Sequence, residues 1–287
     1  MAVAVSINGE LFDEHASISV FDRGFLYGDS VYEVVRTSGG EPVDLPAHLI
    51  RLRASATAIA LELPSDDELT AATLAALKAA GNPESYIRII VTRGAGEIGL
   101  GTDLARDRKT IVIIRPLKLP ARALYEHGIA LQIVNVERSS PRAVDPRIKS
   151  GNYLNNILAL AEARRAGADE ALMCDSRGRI AEGASSNLFV VNNGALFTPG
   201  LEIGLLAGIT RMRVIELARG AGIDVTEGKL LPADVRGADE VFITSSIRGV
   251  LPVARVDGNT LAGTVPGPIT TRMMTLYQQH LTARAGQ

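Results

Sequence analysis

Thirty basic residues punctuate the 287-residue chain, and 25 of them are arginine. The lysines are Lys78, Lys109, Lys118, Lys149 and Lys229. Arginine serves ion pairing and solubility, but it keeps its proton; condensation with a carbonyl needs an amine that can lose one. Lys149 lies in "DPRIKSGNYLNN", between a proline-broken loop and the start of a predicted helix. Its type and place therefore raise imine chemistry with an aldehyde cofactor.

Such a cofactor makes further demands. Pyridoxal phosphate, the common one, needs a carboxylate facing its pyridine nitrogen, because the protonated ring is the electron sink. Its phosphate suits backbone N–H groups at a helix N-terminus, hydroxyls and an arginine. Its phenolic oxygen suits a hydrogen-bond donor. Glu182, in "IAEGASSNLFVV", precedes a glycine and a serine pair at the head of an apolar strand. It is either a turn residue or a buried counter-charge. Gly208, Ile209 and Thr210 open an amphipathic helix in "LLAGITRMRVIEL", as an anion site or as an ordinary helix start. Thr244, Ser245 and Ser246 end a hydrophobic strand in hydroxyls, and Arg51 lies in "HLIRLRAS"; each also has a plain reading, a polar loop and a helix-surface charge.

The elements that must position these groups alternate between helix and strand, which suggests α+β with mixed sheets. "VAVSINGELFD" reads as a hairpin about Asn8-Gly9, and "SVYEVVRTSGGEPVDL" as a second about Gly39-Gly40. "PAHLIRLRASATAIAL" has helical spacing, and "SDDELTAATLAALKAAG" is a helix signalled by Ser65, Glu68 and Gly81. "YIRIIVTRG" and "KTIVIIRPL" are buried-strand candidates. Residues 1–115 are expected to form a small α/β domain, 116–125 a proline-marked linker, and 126–287 a larger domain. In the latter, strands are expected at "IALQIVNVER", "EALMC", "SNLFVV" and "EVFITSS", and helices at "NYLNNILALAEARRAGA", "GITRMRVIELARGAG" and the C-terminus. "GAGEIG", Gly94–Gly99, matches a dinucleotide-binding glycine pattern. The polar stretch behind it cannot be that site's packed helix, and the next strand ends without an acid, so a close-approach loop is the better reading.

Composition narrows the class. A net charge of −2 gives no basic footprint for nucleic acid and no membrane anchor. Neither a signal peptide nor a membrane-spanning run is predicted. The single cysteine, Cys174, fits a reducing cytoplasm and reads as structural. No metal-ligand pattern is expected.

In combination, these blocks are similar to the fold-type IV (class IV) pyridoxal-phosphate aminotransferases, the group of branched-chain and D-amino acid aminotransferases and aminodeoxychorismate lyases. "VFDRGFLYGDSVYEVVR", "HLIRLRASA", "YIRIIVTRGAGEIGLG", "IKSGNYLNNILALAEA", "DEALMCDSRGRIAEGASSNLFVV", "GITRMRVIELA" and "DEVFITSSIRGVLPVARVDG" carry the resemblance across essentially the whole chain. It implies two domains, a small α/β N-terminal one and a larger pseudo-barrel C-terminal one. It implies that Lys149 forms the imine and transfers the substrate's α-proton, Glu182 faces the pyridine nitrogen, and Tyr153 donates to the phenolic oxygen. Arg51, Ile209, Thr210 and Ser246 would hold the phosphate. It further implies an active site between the domains, closed at a subunit interface by the partner's Gly94–Gly101 loop, and hence a homodimer or higher homo-oligomer.

On the substrate side, "YIR" (Tyr86 to Arg88) and the "GEIGLG" loop look like branched-chain aminotransferases. Tyr86 would help hold the α-carboxylate, together with the Ser246 and Ile247 N–H groups. Tyr27, Tyr32, Tyr153 and Leu100 of the partner subunit would shape an apolar pocket. Two features depart from that pattern. "Y-E-V-V-R" puts Val34 where glycine is usual, which trims the pocket. "S-S-I-R-G" brings in Arg248, either as a receptor for the second carboxylate of glutamate or 2-oxoglutarate, or as a surface charge. The expected activity is transfer of an amino group from an aliphatic, branched-chain L-amino acid to a 2-oxo acid. D-amino acid or (R)-amine transamination is the alternative, but the Arg-x-His trap of the D-specific enzymes is absent. A lyase wants threonine near position 34. A cofactor-storing, non-catalytic homologue is disfavoured by the intact lysine, glutamate and phosphate set.

Overall fold

The computed structural model describes residues 2–284, in two compact units. The first comprises residues 2–118, Ile148–Asn152 and 281–284. Its strands are β1 (Ala4–Ile7), β2 (Glu10–Phe12), β3 (Ser30–Ser38), β4 (Glu41–Pro42), β5 (Ser85–Thr92) and β6 (Lys109–Pro116). Its helices are α1 (Arg23–Tyr27), α2 (Leu45–Ala58) and α3 (Asp66–Ala80). Among the described residues the strands form one antiparallel sheet in the order β2-β1-β6-β5-β3-β4. Asn8 and Gly9 both have positive φ, which closes the first hairpin with the right-handed twist such a turn needs. Ser65 and Glu68 form a reciprocal capping box at the start of α3, and Gly81 ends it in the left-handed region.

Strand periodicity sorts the two faces of this sheet. Val31, Val35, Ile87, Ile89 and Val91 are buried against Leu45, Leu49, Leu52 and Ala56 of α2 and Leu69 and Ala76 of α3. The alternate residues, including Tyr32, Val34, Tyr86 and Arg88, belong to the opposite face. Glu33 is the exception on the helix-covered face, an acid in the middle of an apolar strand.

The second unit comprises Leu119–Arg147 and Tyr153–His280. Its helices are α4 (Arg122–His127), α5 (Leu154–Arg165), α6 (Ile209–Gly220), α7 (Pro232–Arg236) and α8 (Pro268–Arg284), whose last turn joins the first unit. Its strands are β7 (Ile129–Ile133), β8 (Glu170–Cys174), β9 (Ile180–Gly183), β10 (Asn187–Asn192), β11 (Ala195–Pro199), β12 (Val225–Gly228), β13 (Glu240–Ser245), β14 (Gly249–Val256) and β15 (Asn259–Thr260). Among the described residues they form one mixed sheet, ordered β12-β11-β10-β13-β14-β7-β8-β9, with β15 paired to β14. Three residues separate β9 from β10 in the chain, a link of at most roughly 14 Å. The five strand spacings between them in sheet order would span about 24 Å if flat. The sheet therefore curls on itself into a partial barrel. One face packs Leu131, Leu188, Val190, Val241, Ile243, Leu251 and Val253 together, and the other receives α5 through Ala159 and Ala163 against Ala130, Ala171 and Met173.

Two local expectations differ. The end of the stretch read as a linker, 116–125, is occupied by the start of α4, and the division between units falls at Lys118. The strand expected over 129–138 stops at Ile133, whose N–H donates to the Asp257 carboxylate.

Candidate active site

In the first unit, Lys149 belongs to the five-residue stretch Ile148–Asn152, which adds to the edge of β3. The Tyr32 N–H donates to Lys149 O, the Gly151 N–H to Ser30 O, and Val31 bridges Ser150. The Lys149 N–H donates to Ser55 Oγ on α2 at 3.1 Å. Three hydrogen bonds thus fix the main chain on which the amine rides. The residue is 9% exposed, and its Nζ lies 4.5 Å from the centre of the Tyr32 ring. The Arg88 guanidinium lies 4.0 Å from the same ring, so one aromatic side chain is shared by the amine and the guanidinium. Val34 pairs with Arg88 across the β3–β5 ladder, and Tyr86 pairs with Arg36. The substrate candidates Tyr32, Val34, Tyr86 and Arg88 thus share one sheet face.

Helix α2 supplies a second cluster from one helical face, at His48, Arg51 and Ser55. Arg51 grips Glu33 with two parallel hydrogen bonds, Nε to Oε1 and Nη2 to Oε2, each 2.7 Å. His48 Nδ1 is 2.7 Å from Oε2. Burial by itself would raise the Glu33 carboxyl, but the charge and fork of Arg51, with the His48 contact, outweigh it and hold the group down at about 2. Arg51, expected at the phosphate, is thereby oriented by a buried carboxylate.

Tyr27 is half-buried with the Arg23 guanidinium 5.0 Å over its ring. Arg23, itself buried, donates to the Gly99 and Leu100 carbonyls and pairs with Asp29. One buried arginine thus ties down the far end of the glycine-rich loop, whose near end is bridged through Ala95 and Gly96 to Asp22 and Ala105. A Cβ on Gly94, where φ is +98°, would lie 2.2 Å from Arg106 O, so the glycine there serves close backbone approach. At the loop's tip, Leu100 is 82% exposed.

In the second unit, Glu182 on β9 is buried. Its carboxylate takes Arg138 Nε at 2.7 Å and the Leu206 N–H at 3.1 Å, with Asn187 Nδ2 at 3.5 Å. Helix α6 begins at Gly208, which caps it with no side chain; a Cβ there would lie 2.0 Å from Asn187 Oδ1. Its first N–H groups, Ile209 and Thr210, are those a helix leaves for an external acceptor. Both residues are buried, and Thr210 Oγ1 lies 3.5 Å from the Tyr277 hydroxyl. Tyr153 is half-buried at the N-cap position of α5. Ser246, Ile247 and Arg248 form the turn between β13 and β14. The Arg248 side chain, weighed as a carboxylate receptor or a surface charge, bonds Glu170, Ser185 and Ser245.

The donor set fits pyridoxal 5′-phosphate. A buried carboxylate suits a cationic ring nitrogen, and a helix start with a bare glycine cap suits a phosphate. The Thr244 hydroxyl, at the end of β13, is buried without a hydrogen-bond partner, as a polar group beside a bound ligand can be.

Glu33, His48, Arg138, Glu170 and Asn187 also belong to these clusters but do not stand out in the sequence as site residues. Glu33 had a signal, an acid in the apolar run "VYEVV", and so had Glu170 at the head of "EALMC". Buried acids in strands need partners, but the sequence does not show which.

A family model described as amino-transferase class IV matches residues 30–256. The branched-chain-amino-acid aminotransferase of Escherichia coli K12 is 35% identical over 281 residues, spanning 94% of this chain and 90% of its own. The structure of a branched-chain aminotransferase from Thermoproteus uzoniensis with norvaline is similar at TM-score 0.90 and 30% identity, covering 97% of this chain and 95% of that one. A branched-chain amino acid aminotransferase from T.th., solved with pyridoxamine 5′-phosphate, matches at TM-score 0.92 and 30% identity, covering 99% and 95%.

Proposed function

The chain belongs to the class IV aminotransferases, and on that premise we propose that it transfers the amino group of a branched-chain or other aliphatic L-amino acid to a 2-oxo acid such as 2-oxoglutarate. Its cofactor is pyridoxal 5′-phosphate. When bound, that group supplies a carbonyl to receive the amine and a cationic ring to delocalise the electrons left on the substrate's α-carbon. Lys149 Nζ would hold the cofactor between turnovers and, once free, would take the proton from the donor's α-carbon and, in the second half-reaction, supply one to the α-carbon of the 2-oxo acceptor. The Glu182 carboxylate, held by Arg138 and the Leu206 N–H, keeps the ring nitrogen protonated. The Ile209 and Thr210 N–H groups, Arg51 and Ser246 hold the phosphate, and Tyr153 donates to the phenolic oxygen.

The observation that carries this reading is the Tyr32 ring, with the Lys149 amine at 4.5 Å and the Arg88 guanidinium at 4.0 Å. The amine that serves the α-carbon and a substrate-side guanidinium are thereby gathered about one aromatic ring. Tyr86 and the Ser246 and Ile247 N–H groups take the α-carboxylate. Tyr27, Tyr32, Val34 and Leu100 of the partner subunit bound the side chain. Relatives named as branched-chain aminotransferases support the aliphatic donor.

The experiment is a half-reaction. Cofactor-loaded protein is mixed separately with L-leucine, D-alanine and (R)-1-phenylethylamine, and loss of the cofactor's visible band is followed. Fast loss with L-leucine alone is expected. Loss with D-alanine or the amine alone would replace the substrate assignment. Lys149→Ala should abolish both turnover and the band; turnover surviving in that variant would remove Lys149 from its role.

The protein acts as a homodimer or higher homo-oligomer. Helix α5 exposes Leu154, Ile157 and Leu158 at helical spacing on the face away from Ala159 and Ala163, as a helix seated against a second copy would. Light scattering should give at least twice the chain mass, and Ile157→Glu should lower it. With one cysteine, and with no described helix long and apolar enough to cross a membrane, the cytoplasm is the fitting compartment.

A further inference from the structure

Arg248 stands in the turn whose N–H groups are assigned above to the α-carboxylate, and its side chain, 20% exposed, is bonded along its length to other parts of the protein. Nη1 donates to Glu170 Oε2 at 2.8 Å. Nη2 donates to Ser185 O at 3.0 Å and to Ser185 Oγ at 2.9 Å. Nε donates to Ser245 Oγ at 3.1 Å, and the Arg248 backbone N–H reaches the same hydroxyl at 3.3 Å. Its carbonyl accepts from the Tyr125 hydroxyl at 2.9 Å. All three guanidinium nitrogens are thus engaged, and the fork geometry leaves no paired N–H groups for a substrate carboxylate.

Glu170 is 1% exposed and also accepts from the Ala171 and Ala184 N–H groups and from the Ser185 and Ser186 hydroxyls. A carboxylate this deep needs a cation, and Arg248 pairs with it. The ion pair ties Glu170 on β8, and with it Ala184, Ser185 and Ser186 beyond Glu182, to the turn from Ser245 to Arg248.

We infer that Arg248 is a positioning residue: paired with Glu170, it holds the Ser246–Ile247 turn rigid for the carboxylate common to every donor and acceptor, and does not select dicarboxylates. The inference rests on the reading above that this turn receives the α-carboxylate. A rigid turn presents its N–H groups without ordering cost on binding. A loose turn must be ordered by each substrate.

The test is Arg248→Met beside Arg248→Lys, in the cofactor-loaded protein, with L-leucine and L-glutamate compared. Losing a charged hydrogen-bonded tie should raise KM by about tenfold to a hundredfold. The factor should be the same for both donors, with kcat changed less than about threefold. Lysine keeps the charge but cannot reach Ser185 and Ser245 together, so it should rescue only part of the rise. Hydrogen exchange at the Ser246 and Ile247 amides should quicken in both variants. A KM rise confined to glutamate would make Arg248 a dicarboxylate receptor and overturn the inference, as would unchanged KM for both. If Arg248→Met does not fold, the Arg248→Lys comparison decides by the same criteria. If the parent protein accepts neither donor, the functional reading fails by itself. Amide exchange then decides: quickened exchange supports the strut, and unchanged exchange overturns it.

Discussion

Replacing Glu33 by glutamine would test the electrostatic centre of the first unit. The carboxylate is 0% exposed, gripped by Arg51 and touched by His48. Those contacts hold it at about 2 against an ordinary value of 4.5. That difference corresponds to about 3 kcal/mol favouring the folded ionised state. Because the folded value is depressed, this contribution is complete above about pH 4.5 and is lost as pH falls toward about 2. Glutamine keeps the shape but removes the charge, and leaves the nearly buried Arg51 guanidinium without its counter-ion. Urea denaturation of cofactor-free protein, where no phosphate contributes, should show the variant about 3 kcal/mol less stable at about pH 7. Below about pH 4.5 the gap to the parent should narrow by about 1.4 kcal/mol per pH unit. A variant within about 0.5 kcal/mol of the parent at neutral pH, or a gap that ignores pH, would refute the reasoning.

Other substitutions separate chemistry from scaffold. Glu182→Gln should lower kcat by about 10²–10³-fold with the protein still folded; a rate within about tenfold of the parent would deny Glu182 its place at the ring nitrogen. Gly94→Ala places a methyl against the Arg106 carbonyl at an unfavourable φ, and thermal denaturation should register a loss of at least about 2 kcal/mol. Ser65→Ala removes half of the α3 capping box; it should cost about 1 kcal/mol in urea and leave turnover unchanged.

The local grammar of this chain was legible. Asn8-Gly9 made its hairpin, Ser65 and Glu68 capped their helix, and Gly208 opened α6, because each is decided within a few residues. The end of β7 was not, since Asp257 lies far along the chain. The chemical residues were legible by type: a scarce lysine, a glutamate before a serine pair. Their supports were not. Arg51 reads as a helix charge until Glu33 is seen across from it, and Arg248 reads as a carboxylate receptor or a surface charge until Glu170 appears 78 positions away. Valence and burial create those pairings, and both are properties of the folded chain.

The position of β14 in the second sheet governs how this protein can be made. It lies between β13 and β7, so among the described strands it alone joins the β7-β8-β9 group to the β10-β11-β12-β13 group. A ribosome releases residues 249–256 last among those strands. Until then, β7 and β13 each present an unpaired edge, the state most open to pairing with another chain. Assembly must then await contacts distant in sequence, which favours slow folding. Truncation before Gly249 should therefore yield aggregate, and chaperone dependence should fall sharply once the full length of β14 has left the exit tunnel.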